Sequence, residues 1–198
     1  MKKLANKIED TLNNIFSFSK GFTLLELLVI VLIIGILASI ALPQYRKAKE
    51  KSNIAPILSI LKNLYQAEES YYLVHRSYSK KFNNLNVDFN WPNTSNYWYP
   101  STWVKDRRER GEWIMEIIDD NYALLISAGR KSGKYKGTGF QIVLSPKDNR
   151  LKRGNLYCSE YVGAKYGFPS KEYCPKIFKT STGSSYPGAN RMYILRKF

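Results

Sequence analysis

Between Phe22 and Leu42 the chain runs for 21 residues in which only Thr23, Glu26, Gly35 and Ser39 are not plainly apolar. As a helix this stretch is roughly 31 Å long at ~1.5 Å per residue, against a bilayer hydrocarbon core of about 30 Å. A segment that long and that greasy constrains the whole chain, because it must either span a membrane or be buried in an assembly. One carboxylate, Glu26, lies within it. An ionised carboxylate in such surroundings is strongly penalised unless a cation reaches it, so its default reading is functional, with a partner to be named. The bland alternative is that Glu26, only five residues into the span, snorkels to the interface and recognises nothing.

The residues Lys20-Gly21-Phe22-Thr23-Leu24-Leu25-Glu26, the apolar run behind them, Gly35, and Pro43 at the end resemble the start of a type IV pilin. The resemblance covers roughly residues 20 to 60. It implies that a prepilin peptidase cuts between Gly21 and Phe22, that the new N-terminal Phe22 is N-methylated, and that the subunit joins a filament with its apolar helix at the centre. It further implies Glu26 as the assembly carboxylate, paired with the α-amine at Phe22, by preference that of a neighbouring copy. The partners implied are other copies of the chain, the peptidase, an inner-membrane assembly platform and the membrane. No cofactor is implied.

After a span is subtracted, 198 residues leave one modest domain. Cys158 and Cys174 are the only cysteines, and neither lies in the apolar run. They suggest a single disulfide in an exported domain, stabilising by ~3 kcal/mol in the chain-entropy model, or else two free buried thiols. Charge does not orient the span: Lys2, Lys3, Lys7 and Lys20 precede it, and Arg46, Lys47, Lys49 and Lys51 follow it. The cysteines and the leader place the N-terminus in the cytoplasm and the remainder outside, periplasmic in the precursor and extracellular once assembled. A competing reading takes residues 1 to 41 as a secretory signal cut after Ala41, releasing a basic binding protein. Its apolar region is longer than the ~7 to 15 residues usual for that type and contains Glu26.

The fold class expected is α+β: a leader over 1–21, a membrane or filament-core helix over 22–42, an amphipathic continuation over 43–75, and a globular head over 76–198. Ile54, Ile57, Leu58, Leu61, Leu64 and Tyr65 make a helical stripe that suits packing on a head. Gly35 and Pro43 are the candidate bend, since one is a poor helix former and the other removes a backbone hydrogen bond; Pro56 is a second kink candidate. Residues 76–112 lack periodicity and read as a variable loop whose tryptophans cover the sheet. Trp113 to Ile118 and Tyr122 to Ser127 read as a hairpin, Phe140 to Leu144 as a third strand and Leu151 to Cys158 as a fourth. Cys158 to Cys174 would be a stapled loop, and Tyr193 to Phe198 an edge strand or a surface tail.

Most of the formal net charge of +15 sits in residues 129–198, which hold 15 Lys and Arg against Asp148, Glu160 and Glu172. Arg130, Lys131, Lys134, Lys136, Arg150, Lys152 and Arg153 are a candidate anionic-ligand patch, with tyrosines interleaved. Such a face suits DNA or another polyanion, and a solvated face is the plain alternative. Enzymatic chemistry finds little footing: no nucleophile elbow or phosphate loop occurs, and the sole histidine, His75, ends the amphipathic helix. The reading is a structural pilus subunit serving motility, adhesion or DNA uptake. Its alternatives in the same class are a secretion-system pseudopilin and a DNA-binding minor pilin.

Overall fold

A computed structural model of the chain describes residues 23–98, 101–161, 172–180, 183–186 and 190–197. The chain divides into two units, Met1–Ala48 and Lys49–Phe198. Gly21 and Phe22, the expected processing residues, lie outside the described residues. The first described helix, α1, covers Leu24–His75, contributes to both units, and continues unbroken through Gly35, Pro43 and Pro56. At Pro43 the lost amide leaves the Ser39 carbonyl without its usual donor. One turn earlier the Ser39 hydroxyl donates to the Ile36 carbonyl at 2.7 Å.

In the first unit the α1 side chains from Leu24 to Leu42 find no protein cover: Leu24 is 83% exposed and Ile33, near the middle, 51%. This helix is long and apolar enough to cross a membrane by length and composition. In the second unit the same helix has one buried stripe, Glu50, Ile54, Ile57, Leu61, Leu64 and Glu68. The spacing is helical and the four central residues are apolar, as the sequence pattern predicts. They pack with Trp113, Met115, Ile117, Ile126, Phe140 and Ile142 of the sheet in one core. α1 ends where Arg76 takes a positive φ of 56° and donates its amide to the Tyr72 carbonyl. His75 stacks on Tyr71 at 3.9 Å, one turn back.

Among the described residues the sheet is antiparallel with seven strands: β1 Val104–Arg110, β2 Trp113–Asp119, β3 Ala123–Arg130, β4 Thr138–Pro146, β5 Asn155–Tyr161, β6 Gly183–Tyr186 and β7 Asn190–Lys197, in the order β1-β2-β3-β4-β5-β7-β6. The helix on an antiparallel sheet is the α+β architecture expected. Several details differ, among them strand β6, which was not expected. β1 lies inside the span read as irregular, because its sequence VKDRRER carries no apolar alternation. The fourth strand starts at Asn155 rather than Leu151, after a turn in which Gly154 adopts φ 75°. The C-terminal strand is interior, lying between β5 and β6.

The charges of β1 also anchor the loop before it. Asp106 accepts the Phe82 amide at 2.8 Å, Arg108 donates to Asn83 at 2.8 Å, and Glu109 accepts from Thr94 at 2.6 Å and Asn96 at 2.7 Å. A charged edge strand both discourages pairing with another chain and gives an aperiodic loop its hydrogen-bond partners. On the sheet face away from α1, Trp98 is 1% exposed and heads a second core with Ile114, Leu125, Val143 and Tyr157. Its indole lies on the cross-strand pair Gly129 and Gly139. A Cβ at Gly129 would stand 1.9 Å from the Trp98 ring, so glycine is required there by space.

Candidate functional site

At the start of α1, Thr23 and Glu26 hold each other reciprocally. The Thr23 hydroxyl accepts the Glu26 amide at 3.2 Å, while a Glu26 carboxylate oxygen accepts the Thr23 amide at 3.0 Å and its hydroxyl at 2.9 Å. This is a capping box, which satisfies two donors that a helix start otherwise leaves orphaned. The Thr-x-x-Glu spacing is the sequence signature of such a cap, a signal that reading the segment as an apolar span passed over. The carboxylate thus has a local role besides any intermolecular one, and it stands beside Leu24, Leu25, Leu27 and Leu28, all more than half exposed.

The seven residues of the candidate anionic-ligand patch do not form one free cationic face. Arg130 is 3% exposed and belongs to the interior, a correction to its place in a surface patch. Its guanidinium donates to Glu50 at 2.8 Å and stacks over Trp113 at 4.6 Å and Tyr135 at 5.5 Å. Lys131 pairs with Glu109, Arg150 with Asp148, and Arg153 with Glu69. The Arg150 pairing holds the half-buried Asp148 carboxyl down at about 2, chiefly through the side-chain hydrogen bonds. Arg153 also lies over the stacked rings of Tyr72 and Tyr78, tying the β4–β5 turn to the end of α1. Lys134, Lys136 and Lys152 are exposed. At least four of the seven cations are thus engaged by carboxylates, and of those acids only Asp148 lies within residues 129–198.

Glu50 and Glu68 are the two buried carboxylates of α1 that the apolar pattern did not disclose. They extend the buried stripe of α1 by one helical step at each end, and that spacing was the signal available. Glu50 is 7% exposed and accepts both from Arg130 and, at 2.7 Å, from the Tyr173 hydroxyl. Burial first, then the hydrogen bond to Glu50, pushes the Tyr173 hydroxyl well above its ordinary range, so it stays a donor. Tyr173 opens the short helix α2, Tyr173–Phe178, and adjoins Cys174, which is disulfide-bonded to Cys158 on β5. One buried charge network thus joins α1, the end of β3 and the stapled segment. Glu68 is fully buried, with one oxygen accepting the Ser79 amide at 2.8 Å and the other without a hydrogen-bond partner. Burial pushes its carboxyl up to about 7, the Ser79 amide opposes that, and neighbouring Glu69 adds to it.

The comparisons with known proteins fall on the same N-terminal stretch. The family described as the prokaryotic N-terminal methylation motif matches residues 17–42. The type IV major pilin protein PilA of Myxococcus xanthus (strain DK1622) is 40% identical over 67 residues, 34% of this chain and 30% of that protein. The type IV major fimbrial protein FimA of Dichelobacter nodosus is 51% identical over 43 residues, 22% of this chain and 28% of the relative. The type IV major pilin protein PilE of Neisseria gonorrhoeae is 34% identical over 64 residues, 32% of this chain and 38% of the relative. The chain spans about a third of the length of the curated relatives it matches. No solved structure matches it. Over the first third of its sequence the chain is similar to type IV major pilins and carries the prokaryotic N-terminal methylation motif.

Proposed function

We propose that this chain is a structural subunit of a type IV pilus. It is made as a single-pass inner-membrane precursor with a cytoplasmic N-terminus and a periplasmic head, and residues 1–21 are its leader. A prepilin peptidase cuts between Gly21 and Phe22, Phe22 is N-methylated, and the assembly platform passes the subunit into a filament with residues 22–42 at the core. Residues 43–75 continue into the head, 76–198, and Gly35 and Pro43 are where the helix gives way on packing. The observation that carries this reading is the bare apolar face of α1 from Leu24 to Leu42, holding one carboxylate near its start.

In the filament the ionised Glu26 carboxylate pairs with the methylated amine of a neighbouring Phe22, which offsets the cost of burying both charges. Thr23 makes this testable, because charge and cap can be separated. Glu26→Gln keeps an acceptor for the Thr23 amide and removes the charge, whereas Glu26→Ala removes both. Both variants are expected to lose filaments by more than about tenfold, judged by microscopy of surface filaments, in line with the several kcal/mol at stake for a buried charge left alone. Wild-type filament yield from Glu26→Gln would refute the ion pair. Mass spectrometry of the mature N-terminus supplies the second check: N-methylated Phe22 is expected, and a chain starting at Leu42 would replace the pilin reading with secretion.

A further inference from the structure

We infer that the end of the head where the chain enters at Lys49 is a docking surface for anionic phospholipid headgroups, used while the subunit waits in the membrane. The inference rests on the anchored reading above and adds a partner for the head itself. Within the second unit, contacts gather a set of cations at this end. Lys51 lies over the Phe178 ring at 6.0 Å, which places it beside Lys176 and Lys179 of α2 and its C-cap. Lys134 lies over Tyr135 at 5.3 Å, and Tyr135 meets Tyr173, the first residue of α2, at 4.8 Å. Arg110 ends β1 opposite Trp113, which in turn pairs with Arg130 at the end of β3, so the β1–β2 turn belongs to the same end.

Lys49, Lys51, Arg110, Lys134, Lys176 and Lys179 are all exposed. The acids nearby are largely spent within the protein: Glu50 on Arg130 and Tyr173, and Glu109 on Lys131. Two exposed carboxylates remain, Glu112 and Glu172, the latter 3.9 Å from Lys176. The surface is therefore cationic after its own ion pairs are subtracted. Chain length brings it to the bilayer: Leu42 and Lys49 are seven residues apart, which even fully extended reach only about 25 Å. Whatever course the chain takes between them, this end stays near the headgroups, where basic side chains are attracted to anionic lipid over about a Debye length. Lysines without bidentate partners suit this purpose, because they follow a fluid array of phosphates without demanding fixed geometry.

The test uses the full chain reconstituted into vesicles of phosphatidylcholine alone or with about a third phosphatidylglycerol, read by amide hydrogen exchange. Exchange in peptides covering 49–53, 131–137 and 173–180 is expected to slow at least about fivefold on the anionic vesicles at low salt. The effect should vanish at about 0.5 M salt, where the Debye length is roughly 4 Å, and in the variant K51E/K134E/K179E. The salt comparison needs no variant, so a folding defect in the triple substitution leaves the test intact. Flotation of the chain with neutral vesicles reports the anchor separately. Failure to float overturns the anchored reading and this inference together, whereas flotation with equal exchange on both vesicles overturns this inference alone. Slowing produced by duplex DNA on neutral vesicles, with none from anionic lipid, would assign the surface to nucleic acid and also overturn it.

Discussion

Replacing Glu68 by Gln should stabilise the head at alkaline pH and leave it level with wild type, or weaker by up to about 1 kcal/mol, in acid. The carboxyl is fully buried, accepts one amide, and has one oxygen without a partner. Its pKa rises from an ordinary 4.5 to about 7. For an acid shifted upward, both states are protonated below pH ~4.5 and the site contributes no pH dependence. From there to about pH 7 the folded state keeps a proton that the unfolded chain gives up, so stability falls as pH rises; above that the penalty is constant. About 2.5 pKa units correspond to roughly 3 kcal/mol at the upper bound. Glutamine keeps the acceptor for Ser79 but adds a buried amide donor, which costs on the order of 1 kcal/mol if unmatched. The net gain expected at pH 8 is therefore about 1–2 kcal/mol, or roughly 3–8 °C in Tm for a unit of this size. Thermal unfolding of the full chain in detergent, wild type against Glu68→Gln at pH 4, 6 and 8, isolates the position because every other group is common to both. Curves that stay parallel across that range, or a variant less stable at pH 8, would refute the reasoning.

The remaining expectations concern the head's interior. Arg130→Ala or Glu50→Ala strips one side of a buried pair and should cost about 3–5 kcal/mol by denaturant titration, while the double replacement by apolar residues should recover much of it. A double variant no better than the singles would show that packing, not unpaired charge, sets the loss. Reducing Cys158–Cys174, which closes a separation of 16 residues, should lower stability by about 3 kcal/mol and free α2, seen as faster amide exchange at Tyr173–Phe178. Unchanged exchange there would mean that the hydrogen bonds to Glu50 and Glu160 hold the segment without the disulfide. Gly129→Ala forces the Trp98 ring to move and should cost more than about 2 kcal/mol with a shift in tryptophan fluorescence, while an unchanged spectrum would contradict the contact.

What the sequence disclosed divides along physical lines. Apolar periodicity is a local signal, and it gave the stripe from Ile54 to Leu64, the β2–β3 hairpin and the α+β class. β1 escaped because its residues are chosen to hold a loop and guard an edge, tasks that leave no alternation. The charged patch was misjudged for a different reason. Electrostatic partners are non-local: Arg130 is neutralised by Glu50, 80 residues away, and Arg153 by Glu69, 84 residues away. A cation count along the chain therefore measures potential before pairing, and only the fold reveals what remains after it. Each end of the buried stripe carries a carboxylate at the next helical position, yet their environments drive them apart: Glu50 meets a guanidinium and a phenol, Glu68 one amide and no cation. The same side chain at the same spacing on the same helix thus fastens the head at one end and makes it sensitive to pH at the other. That difference follows entirely from which strand or turn the fold brings opposite, so a substitution at either position tests the tertiary arrangement rather than the helix.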